Sequence, residues 1–250
     1  MRIRQITFTF LAIVILTVQA KSQNTSSENE VDIKKTKTDY KYFIRTSYYS
    51  FTNWNNVGIA PNIYFYELHL GKVLDAKNKV GIINFDAHFD LRPIEKKPNS
   101  GTPFNQILTE FENVKYFAIG IQRQANTKEL FNIARNENIN FAVNYDCESS
   151  KEELNALKTN IQTAIDSCDH LYITIDLDGF SSAYAPGVSA PSPLGFTPYF
   201  VFKMLDFLFD TKKVISFDIA ELNPTLDRDN ITANLAAKLV DFIVMKLENE

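Results

Sequence analysis

Asp86, His88 and Asp90 stand at alternate positions where a short apolar run ends, in Val80-Gly-Ile-Ile-Asn-Phe-Asp-Ala-His-Phe-Asp-Leu-Arg-Pro93. In extended backbone, side chains at i, i+2 and i+4 share one face. Two carboxylates and an imidazole are therefore expected to converge at the carboxyl end of a strand. The bland alternative is a solvated turn in which a backbone carbonyl satisfies His88. A second run weighs against it, because Leu171-Tyr-Ile-Thr-Ile-Asp-Leu-Asp-Gly179 also ends in alternating carboxylates, Asp176 and Asp178. Proteins avoid gathering so many carboxylates unless protons or cations neutralise them. Oxygen-rich ligation with one imidazole, and no cysteine in either motif, points to hard or borderline divalent ions such as Mn²⁺ rather than to a structural zinc. The expected centre is dinuclear, with carboxylates bridging the ions.

The elements that must carry these residues alternate regularly. Helices are expected near Glu67–Ala76, Pro103–Glu112, Thr127–Asn136, Lys151–Ser167, Pro198–Phe209 and Ile231–Lys246. Strands are expected at Lys115–Ile121, Asn140–Asn144 and Val214–Phe217, beside the two ligand strands. Strands that alternate with helices and read as continuous apolar runs imply an α/β protein, a three-layer α/β/α sandwich with a mainly parallel sheet. Open α/β sheets place their sites at the carboxyl ends of strands, where both ligand motifs fall.

Three loops after strands carry further chemistry. Pro98-Asn-Ser-Gly-Thr-Pro103 offers small donors for a substrate carboxylate, although an ordinary Pro/Gly turn explains it equally well. Ala185-Pro-Gly-Val-Ser-Ala-Pro-Ser-Pro193 is stiffened by prolines, as suits a preorganised wall. Ser216 to Asp227 carries Asp218 and Glu221, each either a surface charge or, for Glu221, an anchor for a cationic substrate group.

The chain has 250 residues, 45% hydrophobic and 22% charged, ordinary values for one soluble globular domain. A net charge of −4 gives no footprint for a polyanion such as nucleic acid. Cys147 and Cys168 lie apart from the ligand motifs and form no disulfide framework. Aromatic residues crowd Tyr40 to Tyr66, where short broken strands packed at a sheet edge are expected. Residues 1–37 read as a leader-like segment followed by a disordered linker, with residues 38–250 forming an N-terminally incomplete catalytic domain. Arg2 and Arg4 precede the apolar run Ile6–Val18, which is followed by Ala20, the layout of a secretory signal peptide. The run is too short to favour a stable membrane span, and a buried N-terminal strand is its alternative.

Taken together, Asp86-Ala-His-Phe-Asp90, the Asp176-x-Asp178 strand with its proline-rich loop, and Glu221-Leu-Asn-Pro224 resemble the ureohydrolase family of arginases, agmatinases and formimidoylglutamases. Phe-Asp-Leu-Arg-Pro93, Asn-Ser-Gly-Thr-Pro103 and Ile119-Gly-Ile-Gln122 look most like formimidoylglutamase. The resemblance covers about Gly81 to Leu247. It implies two Mn²⁺ ions and a bridging hydroxide that attacks an amidine carbon, here cleaving the formimino C–N bond of N-formimidoyl-L-glutamate in histidine degradation. Asp86 and Asp176 are implied as bridging ligands, His88 and Asp178 as ligands of one ion, and Asp90 as a ligand of the other. Glu221 is implied to hold the charged formimino nitrogen. Arg92 is the candidate for a substrate carboxylate, with a structural ion pair as its alternative, and Asn99, Ser100, Gly101 and Thr102 form the accompanying loop. The family also implies a cytoplasmic location, against the leader-like residues 1–20, and leaves a homo-oligomer open.

One departure stands out. The family carries a Gly-Gly-x-His motif before the first ligand strand, and its histidine completes one metal's shell; here that region reads Asn56-Val-Gly-Ile-Ala-Pro-Asn62. One metal site is therefore expected to lack its usual histidine. Two alternatives follow, an arginase- or agmatinase-type ureohydrolase and a non-catalytic metal-binding relative. Ile175-Asp-Leu-Asp-Gly179 alone also fits the nucleophile motif of haloacid-dehalogenase-type phosphatases, but that leaves Asp86, His88 and Asp90 unexplained. No dinucleotide-binding, P-loop or serine-hydrolase motif is present.

Overall fold

Val80–Phe85, the apolar run that precedes the first ligand motif, is buried along its whole length and forms strand β3 at the middle of the parallel part of the sheet. The structure, a computed structural model, describes residues 12–18, 42–48, 78–95, 99–147 and 150–248. Among these, β3 is flanked on one side by β4 (Val114–Ile121) and β5 (Asn140–Val143). On its other side lie β6 (His170–Asp176) and β7 (Val214–Ala220). All five run parallel. Two further strands extend the β7 edge, β1 (Ala12–Val18) antiparallel to β7 and β2 (Tyr42–Tyr48) antiparallel to β1.

Alternate residues of each central strand feed two separate cores. Ile83 and Phe85 of β3 join Ile173, Ile175 and Phe217 on one face. There they meet Ile161 of α3 (Lys151–Ile165), Met204 and Leu208 of α4 (Pro198–Asp210), and Leu239 and Ile243 of α5 (Ile231–Glu248). Val80 and Ile82 turn to the opposite face, against Phe104 and Ile107 of α1 (Pro103–Glu110) and Leu130 and Phe131 of α2 (Lys128–Asn136). Each fully buried side chain of this size contributes about 1.5–3 kcal/mol. Helices on both faces make the α/β/α sandwich expected from the sequence. Local signals set the helix starts. Ser150 and Glu153 form a reciprocal capping box for α3, and Thr197 caps α4 just before Pro198.

The N-terminal run differs from its expected role. Ala12–Val18 forms a sheet strand in the structure, pairing Val14 with Ile219 and Leu16 with Phe217, which is the alternative the sequence offers beside a leader. A run of this length suits a strand as well as a leader's apolar segment, and the open edge of β7 takes it. The expected linker at 21–38 and helix at 67–76, like Asn56–Asn62, lie outside the described residues. No helix among the described residues is long and apolar enough to cross a membrane.

Asp218, which the sequence left open as a surface charge, is buried in β7. Thr174 donates to it at 2.8 Å, and the Tyr172 hydroxyl donates to its other oxygen. Burial pushes its carboxyl up to about 6, although those two hydroxyls pull the other way.

Candidate metal centre

The chain leaves β3 for β4 and β5 on one side and returns to β6 on the other, so the sheet's order reverses between β3 and β6. In open α/β sheets this switch point opens a crevice at the strands' carboxyl ends. β3 and β6 are paired in register, Phe85 opposite Ile175, so Asp86 and Asp176 emerge side by side.

Both strand ends then use the same turn. Asp86 Oδ1 accepts from the His88 N–H at 2.7 Å, and Asp176 Oδ1 accepts from the Asp178 N–H at 2.8 Å, opening a 3₁₀ turn over Leu177–Gly179. A carboxylate that bonds the backbone two residues on is a stable local turn, and here it folds the second ligand back toward the first. This corrects the expectation of a continuous extended strand. β3 ends at Phe85, and a turn rather than the pleat brings His88 and Asp86 together. His88 Nδ1 lies 3.2 Å from Asp178 Oδ2 and 3.4 Å from Asp86 Oδ1. One ligand atom from each of Asp86, His88 and Asp178 lies within 4.8 Å of the others.

Asp90 and Glu221 stand next to this cluster in the left-handed backbone region, at φ 51° and 66°. That conformation costs a non-glycine residue about 1–2 kcal/mol and recurs at functional sites. The Asp90 carbonyl accepts from the Phe104 N–H at 3.2 Å. Glu221 follows β7 directly, and its Oε2 accepts from the Ser189 hydroxyl at 2.7 Å.

The electrostatics are those of an acid cluster short of positive charge. Burial raises Asp176, and the charges of Asp178, Asp86 and Glu221 raise it further. Asp90 is likewise raised by burial first and then by Asp86. Burial also lifts Asp178 and Glu221, opposed by hydrogen bonds from His88 and Ser189 respectively. For His88, burial alone would lower the imidazole, but hydrogen bonds to Asp178 and Asp86 outweigh it and push it up to about 11. Asp178 Oδ1 is buried without a hydrogen-bond partner. An orphaned carboxylate oxygen among raised carboxyls, with one imidazole, is a donor set that fits divalent cations. Asp86, His88 and Asp178 are the residues whose ligand atoms could share one ion, and Asp90 and Asp176 fall outside that group.

Close packing under the cluster needs glycine at two places. A Cβ on Gly120, at φ +100°, would lie 2.4 Å from Phe196 and 3.2 Å from the Asp86 carbonyl. A Cβ on Gly179 would lie 2.5 Å from the same ring and 3.1 Å from Asp86 Cα. Gly120→Ala is therefore expected to destabilise the fold by roughly 2–4 kcal/mol. A denaturation midpoint close to wild type would contradict this packing.

The proline-rich loop is held at both ends. The Gly187 N–H donates to Thr232 Oγ1 at 2.7 Å and its carbonyl accepts from the Asn223 N–H at 2.8 Å. Ser192 donates to Gln122 Oε1 at 2.7 Å. The loop after β3 divides into two kinds of residue. Arg92, Asn99 and Ser100 are exposed, whereas Gly101 and Thr102 are buried. Thr102 Oγ1 donates to the Asn99 carbonyl at 2.9 Å and accepts from the Asn99 N–H at 3.0 Å, so its hydroxyl shapes the turn. The Arg92 N–H donates to the Gly101 carbonyl at 2.8 Å, and a Cβ on Gly101 would lie 3.0 Å from Arg92 Cδ. Ser189, Asn84, Tyr116 and Asn126 also serve the site. Of these, Ser189 lies in the proline-rich loop already singled out in the sequence, and Asn84 is visible as a polar residue inside an apolar strand, whereas Tyr116 and Asn126 carried no such signal.

An α/β/α sandwich whose switch point gathers buried carboxylates around one imidazole has the layout of the arginase fold. The chain belongs to the arginase family, whose model matches residues 68–245. Proteins of this family are binuclear-metal hydrolases. The chain is 44% identical over 169 residues to formimidoylglutamase of Legionella pneumophila strain Lens, covering 65% of this chain and 52% of that protein. It is 39% identical over 183 residues to formimidoylglutamase of Lysinibacillus sphaericus, covering 73% and 56%. The chain thus spans about half the length of the curated relatives it matches. Among solved structures, formimidoylglutamase from Bacillus subtilis superposes with a TM-score of 0.65 at 26% identity, over 72% of this chain and 56% of that one. Entamoeba histolytica arginase shares the fold, with a TM-score of 0.60 at 20% identity over 70% and 63%.

Proposed function

We propose that this protein is a formimidoylglutamase-type hydrolase, dependent on two Mn²⁺ ions, that adds water across the formimino C–N bond of N-formimidoyl-L-glutamate. The products are L-glutamate and formamide. The observation that carries this is the buried convergence of Asp86, His88 and Asp178 within 4.8 Å at the switch point. The names of the relatives give the substrate class. When bound, the divalent ions lower the pKa of water enough to supply a nucleophile at neutral pH.

The chain's own residues would do the rest. Asp86, His88 and Asp178 would hold one ion between them, and Asp90 and Asp176, beside them, would supply further carboxylate ligands. Glu221, whose Oε2 accepts from the Ser189 hydroxyl, would accept hydrogen bonds from the amidinium head. Arg92, exposed beside the Asn99–Thr102 turn, meets a carboxylate of the glutamate tail, with Asn99 and Ser100 at its side. Arg92→Ala should raise KM roughly tenfold and leave kcat nearly unchanged, as for binding shared by ground and transition states.

The test is to incubate Mn²⁺-loaded protein with N-formimidoyl-L-glutamate, L-arginine and agmatine separately, following formamide or urea. Formamide from the first substrate alone is expected. Urea from arginine or agmatine would move the chain to another branch of the family. Inactivity of folded, metal-loaded protein on all three would favour a non-catalytic relative.

A further inference from the structure

Asn84 is 1% exposed and Tyr116 3%, the one an amide inside an apolar strand and the other a phenol inside β4. Burying such groups costs free energy unless they are hydrogen-bonded, and packing alone would favour apolar side chains here. Register explains how they meet. Asn84 shares the face of Asp86, two residues on, and its partner across the ladder is the small Ala118, which leaves room for the Tyr116 ring to reach it. Asn84 Nδ2 donates to Asp86 Oδ2 at 3.0 Å and to Tyr116 Oη at 2.8 Å. Tyr116 Oη in turn donates to the Phe89 carbonyl at 3.0 Å. Its ring is stacked on Phe104, centroids 4.4 Å apart, and the Phe104 N–H holds the Asp90 carbonyl.

This relay grips the ligand segment on both sides of His88. Asp86 Oδ2 is fixed by Asn84, so Oδ1 stays toward His88. Beyond His88, the Phe89 carbonyl is fixed by Tyr116, and the Phe89 N–H by Asn126 Oδ1 at 3.0 Å. Asn126 also donates to the Ala87 carbonyl at 2.8 Å, which closes the frame.

We propose that Asn84 and Tyr116 are positioning residues for the metal centre, forming one relay that presets the Asp86 carboxylate and the backbone around His88 for a divalent cation. The inference rests on the metal-centre assignment above. Outer partners of this kind set ligand orientation, and their loss typically lowers metal affinity 10–100-fold.

The test compares wild type, Asn84→Leu, Tyr116→Phe and Asp86→Ala. The Mn²⁺ dissociation constant is read by chelator competition, and thermal melting is read in EDTA. Asn84→Leu and Tyr116→Phe are each expected to weaken Mn²⁺ about 10–100-fold, with the Tyr116→Phe protein melting in EDTA close to wild type. A merely structural role would lower that melting temperature and leave the affinity of the folded protein unchanged, which overturns the proposal. If Asn84→Leu does not fold, Tyr116→Phe decides alone, since it removes only one oxygen. Wild-type binding that is lost in Asp86→Ala but unchanged in both relay variants would reject the relay and keep the metal centre. Absence of binding by wild type would reject both.

Discussion

Asp176→Asn is expected to stabilise the metal-free protein while removing tight Mn²⁺ binding. Asp176 is held above the usual carboxylate range by burial, then by the charges of Asp178, Asp86 and Glu221. A carboxyl raised in the folded state stabilises fully below its unfolded value, near 3.8, and that contribution is lost as pH rises through the higher folded value. Ionising this carboxyl in the folded protein is therefore a burden when no cation is present. Asparagine keeps the Oδ1 acceptor for the Asp178 N–H and removes the charge. The melting temperature in chelator should rise, by about 2–4 °C for each kcal/mol relieved, and the gain should shrink as pH falls toward 4. Mn²⁺ affinity should drop by more than the roughly 100-fold that marks the loss of an outer partner. A lowered melting temperature with unchanged affinity would show that Asp176 serves the fold and not an ion.

His88 gives the second large effect. With its imidazole pushed up to about 11, against burial and by Asp178 and Asp86, the metal-free protein keeps His88 protonated at neutral pH. That ion pairing stabilises fully below the ordinary value of 6.5 and is lost as pH rises through about 11. Ligation requires the neutral imidazole. Metal uptake must therefore expel this proton, and apparent Mn²⁺ affinity should climb about tenfold per pH unit, roughly 100-fold from pH 6.5 to 8.5. Calorimetry in buffers of different ionisation enthalpy counts the released protons, and His88→Ala should release about one fewer. Affinity independent of pH would place His88 outside the shell.

Much of this was legible in the sequence because periodicity and punctuation agreed with the final packing. The helix expected over Pro103–Glu112 is Pro103–Glu110, and that over Lys151–Ser167 is Lys151–Ile165. The acids were visible as alternating carboxylates after apolar runs, and their neighbourhood followed from a parallel sheet with a switch point. Features made by register were hidden. Asp218 is inward because Tyr172 and Thr174 of the next strand supply its donors. Tyr116 reaches Asn84 only because Ala118 lies opposite it. Thr102, chosen as a substrate donor, is bound into its own turn, a local competition that residue type alone does not reveal. Ala12–Val18 fits two roles that share one composition, and its pairing with β7 depends on a sheet edge that the local sequence does not reveal.

The central claim is that the acids after β3 and β6 form a divalent-metal centre, and counting metal tests it most directly. Metal-free protein is loaded with excess Mn²⁺, dialysed, and analysed for bound metal beside a calorimetric titration. Two sites of unequal affinity are predicted, one ion surviving dialysis and a second needing excess metal, because the sequence lacks the Gly-Gly-x-His histidine of one site. A folded protein that retains no ion and shows no heat of Mn²⁺ binding would contradict the account.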